Sequence, residues 1–176
     1  MQSTNWSGPR PSRGERERAW EQHTVDMKLQ PASVGDLYRL LPLVRAYHEF
    51  EQLGTTDAER ELALTGLLQR PEYGGIWLVM RGGDVAGYVV LCTAYSLEFN
   101  GLEAFVDELY IDRAFRGEGL GARVLAAVKA EARAQGINAL HLEVARDNTR
   151  ARQLYARAGF KAREKYVLMS LDLSKD

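Results

Sequence analysis

The sequence predicts a mixed α/β fold, and three patterns along the chain support this prediction. Residues 76–80 and 85–93 are rich in β-forming side chains and flank the pair Gly82-Gly83, a pattern typical of an antiparallel hairpin. Residues 103–111 predict a further strand that runs into a glycine-rich turn. Beyond the turn, apolar residues recur at helical spacing and indicate a long amphipathic helix. A hairpin followed by a strand, a helix and another strand predicts a mixed sheet.

The remaining elements follow from similar signals. A short strand is predicted at 25–29, and helices are predicted at 34–48 and 57–68. Gly136 is placed to end the long helix, and residues 139–144 predict the strand after it. Asn148 is placed to cap a short helix that ends at Gly159, and residues 167–173 predict a final strand.

Composition and charge limit the classes of function. The chain has 176 residues, of which 45% are hydrophobic, so it is long enough for one substantial core. Residues 1–23 are polar and predict a mobile tail, which leaves 24–176 as a single domain. The 23 basic and 24 acidic side chains nearly cancel, which argues against nucleic acid or an anionic membrane as a partner.

The sequence also favours a cytoplasmic location. We find no apolar run as long as the roughly 18 residues of a membrane span, and the N-terminus lacks the apolar centre of a secretory signal. The lone Cys92 cannot form an internal disulfide, in agreement with a reducing compartment. Since Cys92 falls within a predicted strand, we interpret it as a small buried side chain rather than a nucleophile.

The glycine-rich turn is the strongest functional signal in the chain. It reads Asp-Arg-Ala-Phe-Arg-Gly-Glu-Gly-Leu-Gly-Ala over residues 112–122 and lies between a predicted strand and a predicted helix. Gly117, Gly119 and Gly121 have no side chains, so their backbone N–H groups could close on an anion. The positive end of the helix dipole and Arg116 would add to the attraction. This layout predicts a pyrophosphate site.

The order of motifs resembles the GNAT superfamily of acyl-CoA-dependent N-acetyltransferases. The resemblance is carried by Arg116-x-x-Gly119-x-Gly121, the following helix and strand, Asn148, and then Leu154-Tyr155-x-x-x-Gly159-Phe160. It covers about residues 25–173. It implies a three-layer α/β/α fold around a mostly antiparallel, splayed sheet, acetyl-CoA as co-substrate and a primary amine of a small molecule or peptide as acceptor. A homodimer is common among such proteins, and no metal is implied.

The resemblance also implies which residues hold the coenzyme. The pyrophosphate would rest on the turn, and the pantetheine arm would pair with main-chain groups of the preceding strand as if it were another strand. Asn148 would contact the pantetheine with its side chain, although its position is equally explained by helix capping. The implied coenzyme-binding residues are Leu109, Tyr110, Ile111, Arg116, Gly117, Glu118, Gly119, Leu120, Gly121 and Asn148.

Three side chains are candidates for the chemistry. By family resemblance Tyr155 protonates the departing thiolate, although a plain core tyrosine would fit its place on the helix too. The acceptor amine must lose a proton before it attacks, and we prefer Asp107 as its base with Glu108 in reserve. Adjacent strand residues point to opposite faces, so only one of the two is expected in the acceptor pocket. Either carboxylate could instead bind a cationic acceptor or pair with an arginine.

Other polar residues carry weaker signals. Acidic and aromatic side chains suit a cationic amine, so Glu51, Tyr95, Glu98 and Glu103 are candidates for the acceptor site, and surface solvation explains the glutamates as well. The histidines at 23, 48 and 141 are too scattered for a zinc site, and we interpret them as packing or surface residues.

Two other functions remain open. Gly117-x-Gly119-x-x-Ala122, with Glu143 after the next strand, also matches the fingerprint of an NAD(P)-binding oxidoreductase. Too few residues follow Glu143 for the remaining parallel strands of that fold. The other alternative is an acyl-CoA sensor that binds the coenzyme without turnover.

Overall fold

The computed structural model describes residues 27–173, which form a five-stranded sheet in the order β1-β2-β3-β4-β5. The helices and strands are, in chain order, β1 (Met27–Pro31), α1 (Leu37–Phe50), α2 (Asp57–Leu68), β2 (Gly74–Arg81), β3 (Asp84–Ser96), β4 (Gly101–Ile111), α3 (Leu120–Ala134), β5 (Ile137–Leu142) and α4 (Thr149–Arg157). Neighbouring strands from β1 to β4 are antiparallel, whereas β4 and β5 are parallel. The predicted mixed α/β fold is confirmed.

The sheet has an apolar core on each face because its central strands are apolar on both sides. In β3, Val89 and Leu91 lie in the core under α3, while Tyr88 and Val90 lie in the core under α1 and α2. A strand buried on both faces loses the alternation of polar and apolar residues, and β3 therefore reads as a continuous apolar run. The result is three layers, with α3 on one side of the sheet and α1 and α2 on the other.

The parallel pairing covers only the first part of β4. Pairing between β4 and β5 runs from Leu102 opposite Ile137 to Val106 opposite Leu142. Strand β4 then continues to Ile111, still paired with β3 on its other edge. Strand β5 ends at Leu142, so among the described residues the edge of β4 that faces away from β3 has no strand partner beyond Val106.

Most predicted elements are present with shifted ends. The α-helix predicted at 34–48 begins as a 3-10 turn at Val34–Asp36 and becomes α-helical from Leu37. The strand predicted at 139–144 lies two residues earlier, at Ile137–Leu142. Gly136 and Gly159 follow their helices with φ of 75° and 99°, as predicted for helix ends. The predicted tail 1–23 and the first two residues of the strand predicted at 25–29 lie outside the described residues.

The prediction of a final strand at 167–173 is wrong. These residues have no strand structure, and Val167, Met169 and Leu171 are 71%, 86% and 82% exposed. Their alternating apolar pattern is a local signal, whereas a strand also needs a partner edge on which to form its hydrogen bonds. The described sheet ends at β5.

The core beneath α1 supplies a stability prediction. Leu40 is fully buried against the sheet, so Leu40→Ala is expected to lower the free energy of unfolding by about 2–5 kcal/mol. Tyr38 lies on the same helix but is 74% exposed, and Tyr38→Ala should change stability by less than about 0.5 kcal/mol. Urea denaturation of both variants measures the difference. Equal losses would show that α1 does not pack on the sheet as described.

Within residues 27–173, no helix is both long enough and apolar enough to cross a lipid bilayer.

Candidate active site

The glycine turn presents a row of unpaired amides beyond the end of β4. It joins β4 to the start of α3, where Gly119 is the N-cap residue with φ of 71°. The amides of residues 117–121 donate no hydrogen bond to any acceptor in the described part of the chain. Helix starts leave such N–H groups unsatisfied, and consecutive ones together with the helix dipole favour an anion. The turn is therefore suited to a phosphate group.

Two glycines keep the surface of this turn clear. A Cβ atom built on Gly117 or Gly119 would meet nothing within 4 Å, and both residues have positive φ, 105° and 71°. An anion could thus approach the backbone directly, without a side chain between. Gly121 serves packing instead, because a Cβ there would lie 3.0 Å from the Leu154 side chain of α4. The turn therefore fits the pyrophosphate that the sequence predicts for it.

Arg116 is held beside the turn by two contacts. Its Nε donates to the backbone oxygen of Ile111 at 2.8 Å, and its guanidinium lies 5.4 Å from the centroid of the Tyr110 ring. The Nε atom is thus committed to the protein, and only the terminal nitrogens are placed to reach a ligand.

A bulge in β4 changes the expected geometry of the two carboxylates. Val90 is opposite Glu108, whereas the next residue of β3, Leu91, is opposite Val106, so Asp107 is an extra residue. The extra residue places the side chains of Asp107 and Glu108 on the same face of the sheet. Both line one cavity of about 90 Å³ beneath α1 and α2. The prediction that they point to opposite faces is wrong, because it assumes a regular strand.

The two carboxylates have different surroundings. Glu108 is hydrogen-bonded through one oxygen to Nε2 of His48 at 2.7 Å and accepts a hydrogen bond from the Tyr88 hydroxyl through the other. Nδ1 of His48 lies 2.7 Å from the hydroxyl oxygen of Thr55, which fixes the imidazole on both sides. No such partner is present for the Asp107 carboxylate within residues 27–173. Of the two, Asp107 is the carboxylate that remains available to a ligand.

Asp107 also holds its proton more tightly than an ordinary aspartate. Desolvation raises the pKa of its carboxyl, the negative charges of Glu108 and Glu143 raise it further, and His48 opposes them. Part of the residue is still exposed, so water reaches it and the desolvation is incomplete. A raised pKa makes a carboxylate a stronger base.

Tyr155 lies on α4 with its ring edge-on to Phe160, at 6.0 Å between centroids. Burial raises the pKa of its hydroxyl, and the charge of Glu51 adds to this effect. Burial also raises the pKa of Tyr47 on α1, and smaller contributions come from Glu51, Glu108, Tyr155 and Asp107. Tyr47 is therefore within electrostatic range of the carboxylates of the bulge and of Tyr155.

Asn148 caps α4, as its position predicts. Its side-chain oxygen accepts a hydrogen bond from the Ala151 amide at 3.1 Å. The side-chain NH₂ group makes no hydrogen bond to the described residues, so capping leaves it available to a ligand.

The acceptor-site candidates separate into two groups. Glu51 lies near Tyr47 and Tyr155. Glu98 pairs with Arg163 at 3.0 Å, Glu103 lies 3.2 Å from His141, and Tyr95 is 70% exposed. Glu103 lies in β4 and Glu98 in the turn before it, and both line one cavity of about 1500 Å³ together with Tyr155, so both remain candidates for the acceptor site.

Two further observations bear on alternative chemistry. Desolvation raises the pKa of the half-buried Cys92 thiol to about 11, with the charges of Asp107 and Glu108 adding to it, so the thiol is protonated at neutral pH. Among the described residues, no group of three or more His, Cys, Asp or Glu side chains is arranged to hold a metal ion.

Sequence reasoning missed His48, Tyr88 and Tyr47. His48 was expected to be a packing or surface residue, but it contacts Glu108 from 60 positions away in the chain. Tyr47 and Tyr88 carried only the signal of apolar periodicity. The neighbours Tyr47 and His48 at the end of a helix that covers the carboxylates were the one local hint.

Comparisons with known proteins agree with the fold. Residues 37–160 match the model of the Acetyltransferase (GNAT) family. Thialysine N-epsilon-acetyltransferase from Bos taurus is 27% identical over 140 residues, which are 74% of this chain and 82% of that protein. An integron cassette protein from the mobile metagenome of Cole Harbour Salt Marsh has a TM-score of 0.72 at 31% identity, covering 82% of this chain and 90% of that one.

A further solved structure extends the likeness in fold alone. Ribosomal-protein-alanine N-acetyltransferase from Brucella melitensis biovar Abortus 2308 has a TM-score of 0.67 at 18% identity, covering 84% of this chain and 100% of that one.

The chain belongs to the GNAT family of acetyltransferases, and it is an acyltransferase enzyme. The oxidoreductase alternative is not supported, because a dinucleotide-binding sheet is mostly parallel and here β1 to β4 are antiparallel.

Proposed function

We propose that this enzyme transfers the acetyl group of acetyl-CoA directly to a primary amine of a small molecule or peptide. The observation that carries the proposal is the row of unpaired amides at residues 117–121, which follows the part of β4 that has a free edge. The amides would hold the pyrophosphate, and main-chain groups of residues 109–111 would hold the pantetheine arm along the free edge of β4. The proposed domain covers residues 24–176.

The proposed reaction needs a base and an acid from the protein, because bound acetyl-CoA supplies only the activated thioester. Asp107 accepts a proton from the acceptor ammonium, so that the nitrogen lone pair can attack the carbonyl carbon. Tyr155 donates its proton to the sulfur as the carbon–sulfur bond breaks, the second proton that the nitrogen loses on becoming an amide restores the phenol, and the proton on Asp107 passes to water. Glu108, held by His48 and Tyr88, adds negative charge beside the ammonium. The products are an acetamide and free CoA thiol.

An amine-panel assay tests the proposed function. Purified protein, acetyl-CoA and a set of diamines, amino acids, aminoglycosides and peptide amines are incubated, and thiol release and acetylated product are both measured. We expect release to depend on one class of amine and to match product formation. Coenzyme binding with no transfer to any amine would instead favour the sensor.

Asp107→Asn provides a second test. We expect kcat/KM to fall about a hundredfold, because the amide cannot accept the proton. In the wild-type enzyme the activity should be lost as the pH falls through the raised pKa of Asp107, that is, at a higher pH than an ordinary aspartate of pKa about 3.9 would give. Rate profiles against pH measure both effects.

Glu131→Gln is the matched control, since Glu131 lies on α3 and accepts a hydrogen bond from Gln135 at 2.9 Å, away from the bulge, and this variant should keep wild-type kinetics. If Glu108→Gln lost the acid limb of the profile while Asp107→Asn kept it, Glu108 would be the base and the preference for Asp107 would be wrong.

A further inference from the structure

The turn proposed to bind a pyrophosphate also carries a carboxylate. Glu118 lies between Gly117 and Gly119, and its side chain is 64% exposed. A negative charge at this position opposes a ligand that brings further negative charges, since like charges a few ångströms apart repel even through water. The Glu118 carboxylate is therefore expected to weaken the binding of an anion to the turn.

Arg81, which lies in another part of the fold, supplies a positive charge beside Glu118. It is the last residue of β2, and its guanidinium forms an ion pair with the Glu118 carboxylate. The Arg81 side chain is only 16% exposed, and its guanidinium lies over the ring of Phe115 at 5.9 Å from the centroid. Phe115 belongs to the short 3-10 turn that leads into the glycines. The packing keeps the positive charge beside the turn.

The arginine within the motif does not have this role. Arg116 donates through Nε to the Ile111 backbone oxygen and lies over Tyr110, and among the described contacts it makes none with Glu118. The neutralising charge thus comes from a residue 37 positions earlier in the chain. No motif of the turn would identify it.

We propose that Arg81 is a positioning residue for coenzyme binding. Arg81 neutralises Glu118 and holds its carboxylate toward β2. The amides of residues 117–121 can then bind the pyrophosphate without an opposing charge. This inference rests on the proposed function. Arg81 acts through Glu118, so its importance depends on the presence of that carboxylate.

A double-mutant cycle tests the inference by calorimetric titration of acetyl-CoA. Arg81→Gln is expected to weaken binding about three- to tenfold at low ionic strength, and less at high salt because the repulsion is screened. Its kcat at saturating acetyl-CoA should stay near the wild-type value. Arg81→Lys, which keeps the charge, should bind within about twofold of the wild type. In the Glu118→Gln background, Arg81→Gln should weaken acetyl-CoA binding by less than about twofold.

Arg39→Gln is the control, because it also removes an arginine from a part-buried ion pair, with Asp36 at 3.1 Å, but lies away from the turn. It should leave binding unchanged. The inference is overturned if Arg81→Gln binds acetyl-CoA as tightly as the wild type. It is also overturned if Arg81→Gln weakens acetyl-CoA binding by the same factor with and without Glu118, because Arg81 would then contact the ligand itself. Absence of acetyl-CoA binding by the wild-type protein would overturn the proposed function and this inference together.

Discussion

Gly119→Val is expected to abolish acetyl-CoA binding, with a loss of at least about a hundredfold in affinity. Gly119 is the N-cap of α3, has φ of 71°, and its missing Cβ would point into open space beside the unpaired amides. A valine side chain would occupy the space that the pyrophosphate needs, and its branched Cβ would also resist the left-handed backbone. Calorimetric titration of the folded variant with acetyl-CoA measures the effect.

The opposite end of the same helix supplies a matched control. Gly136 follows α3 with φ of 75°, and a Cβ there would also meet nothing within 4 Å. Gly136→Val should therefore suffer the same backbone strain, about 1–3 kcal/mol, and bind acetyl-CoA normally. If both variants bound acetyl-CoA equally well, the turn would not be the coenzyme site.

Tyr155→Phe is expected to lower kcat about a hundred- to a thousandfold while the dissociation constant of acetyl-CoA stays within about twofold. The phenylalanine ring keeps the edge-on contact with Phe160 and loses only the hydroxyl, which has no hydrogen-bond partner among the described residues. Because burial raises the pKa of this hydroxyl, it remains protonated through neutral pH and can donate to the departing thiolate. Steady-state kinetics and calorimetry separate the two quantities.

A tyrosine remote from the site serves as the control. Tyr38 is 74% exposed near the start of α1, and Tyr38→Phe should keep the wild-type rate. Undiminished kcat in Tyr155→Phe would exclude the hydroxyl as the proton donor, whereas loss of coenzyme affinity with unchanged kcat would assign it to binding.

The parts of the fold that depend on local signals were predictable. The glycines at 117, 119 and 136 occupy positive-φ positions at the two ends of one helix, and the apolar spacing between them predicts that helix. The capping role of Asn148 was also predictable, because the side-chain oxygen that accepts the hydrogen bond and the Ala151 amide that donates it lie three residues apart. The geometry of the glycine turn, which we propose as the coenzyme site, was therefore predictable from the sequence.

The proposed acceptor side of the site depends on contacts that no local pattern encodes. The bulge at Asp107 puts every later residue of β4 on the opposite face from the one it would have in a regular strand. Nothing in the run Val-Asp-Glu-Leu indicates an extra residue. His48 reaches Glu108, and Arg81 reaches Glu118, only because the fold brings distant segments together. The segment 167–173 shows the converse case, in which a strong local pattern forms no strand.

A crystal structure of the enzyme with bound CoA tests the central claim most directly. We expect the diphosphate oxygens to lie within hydrogen-bonding distance of the amides of residues 117–121, with the pantetheine along the free edge of β4. A bound coenzyme whose diphosphate made no contact with these amides would contradict the account.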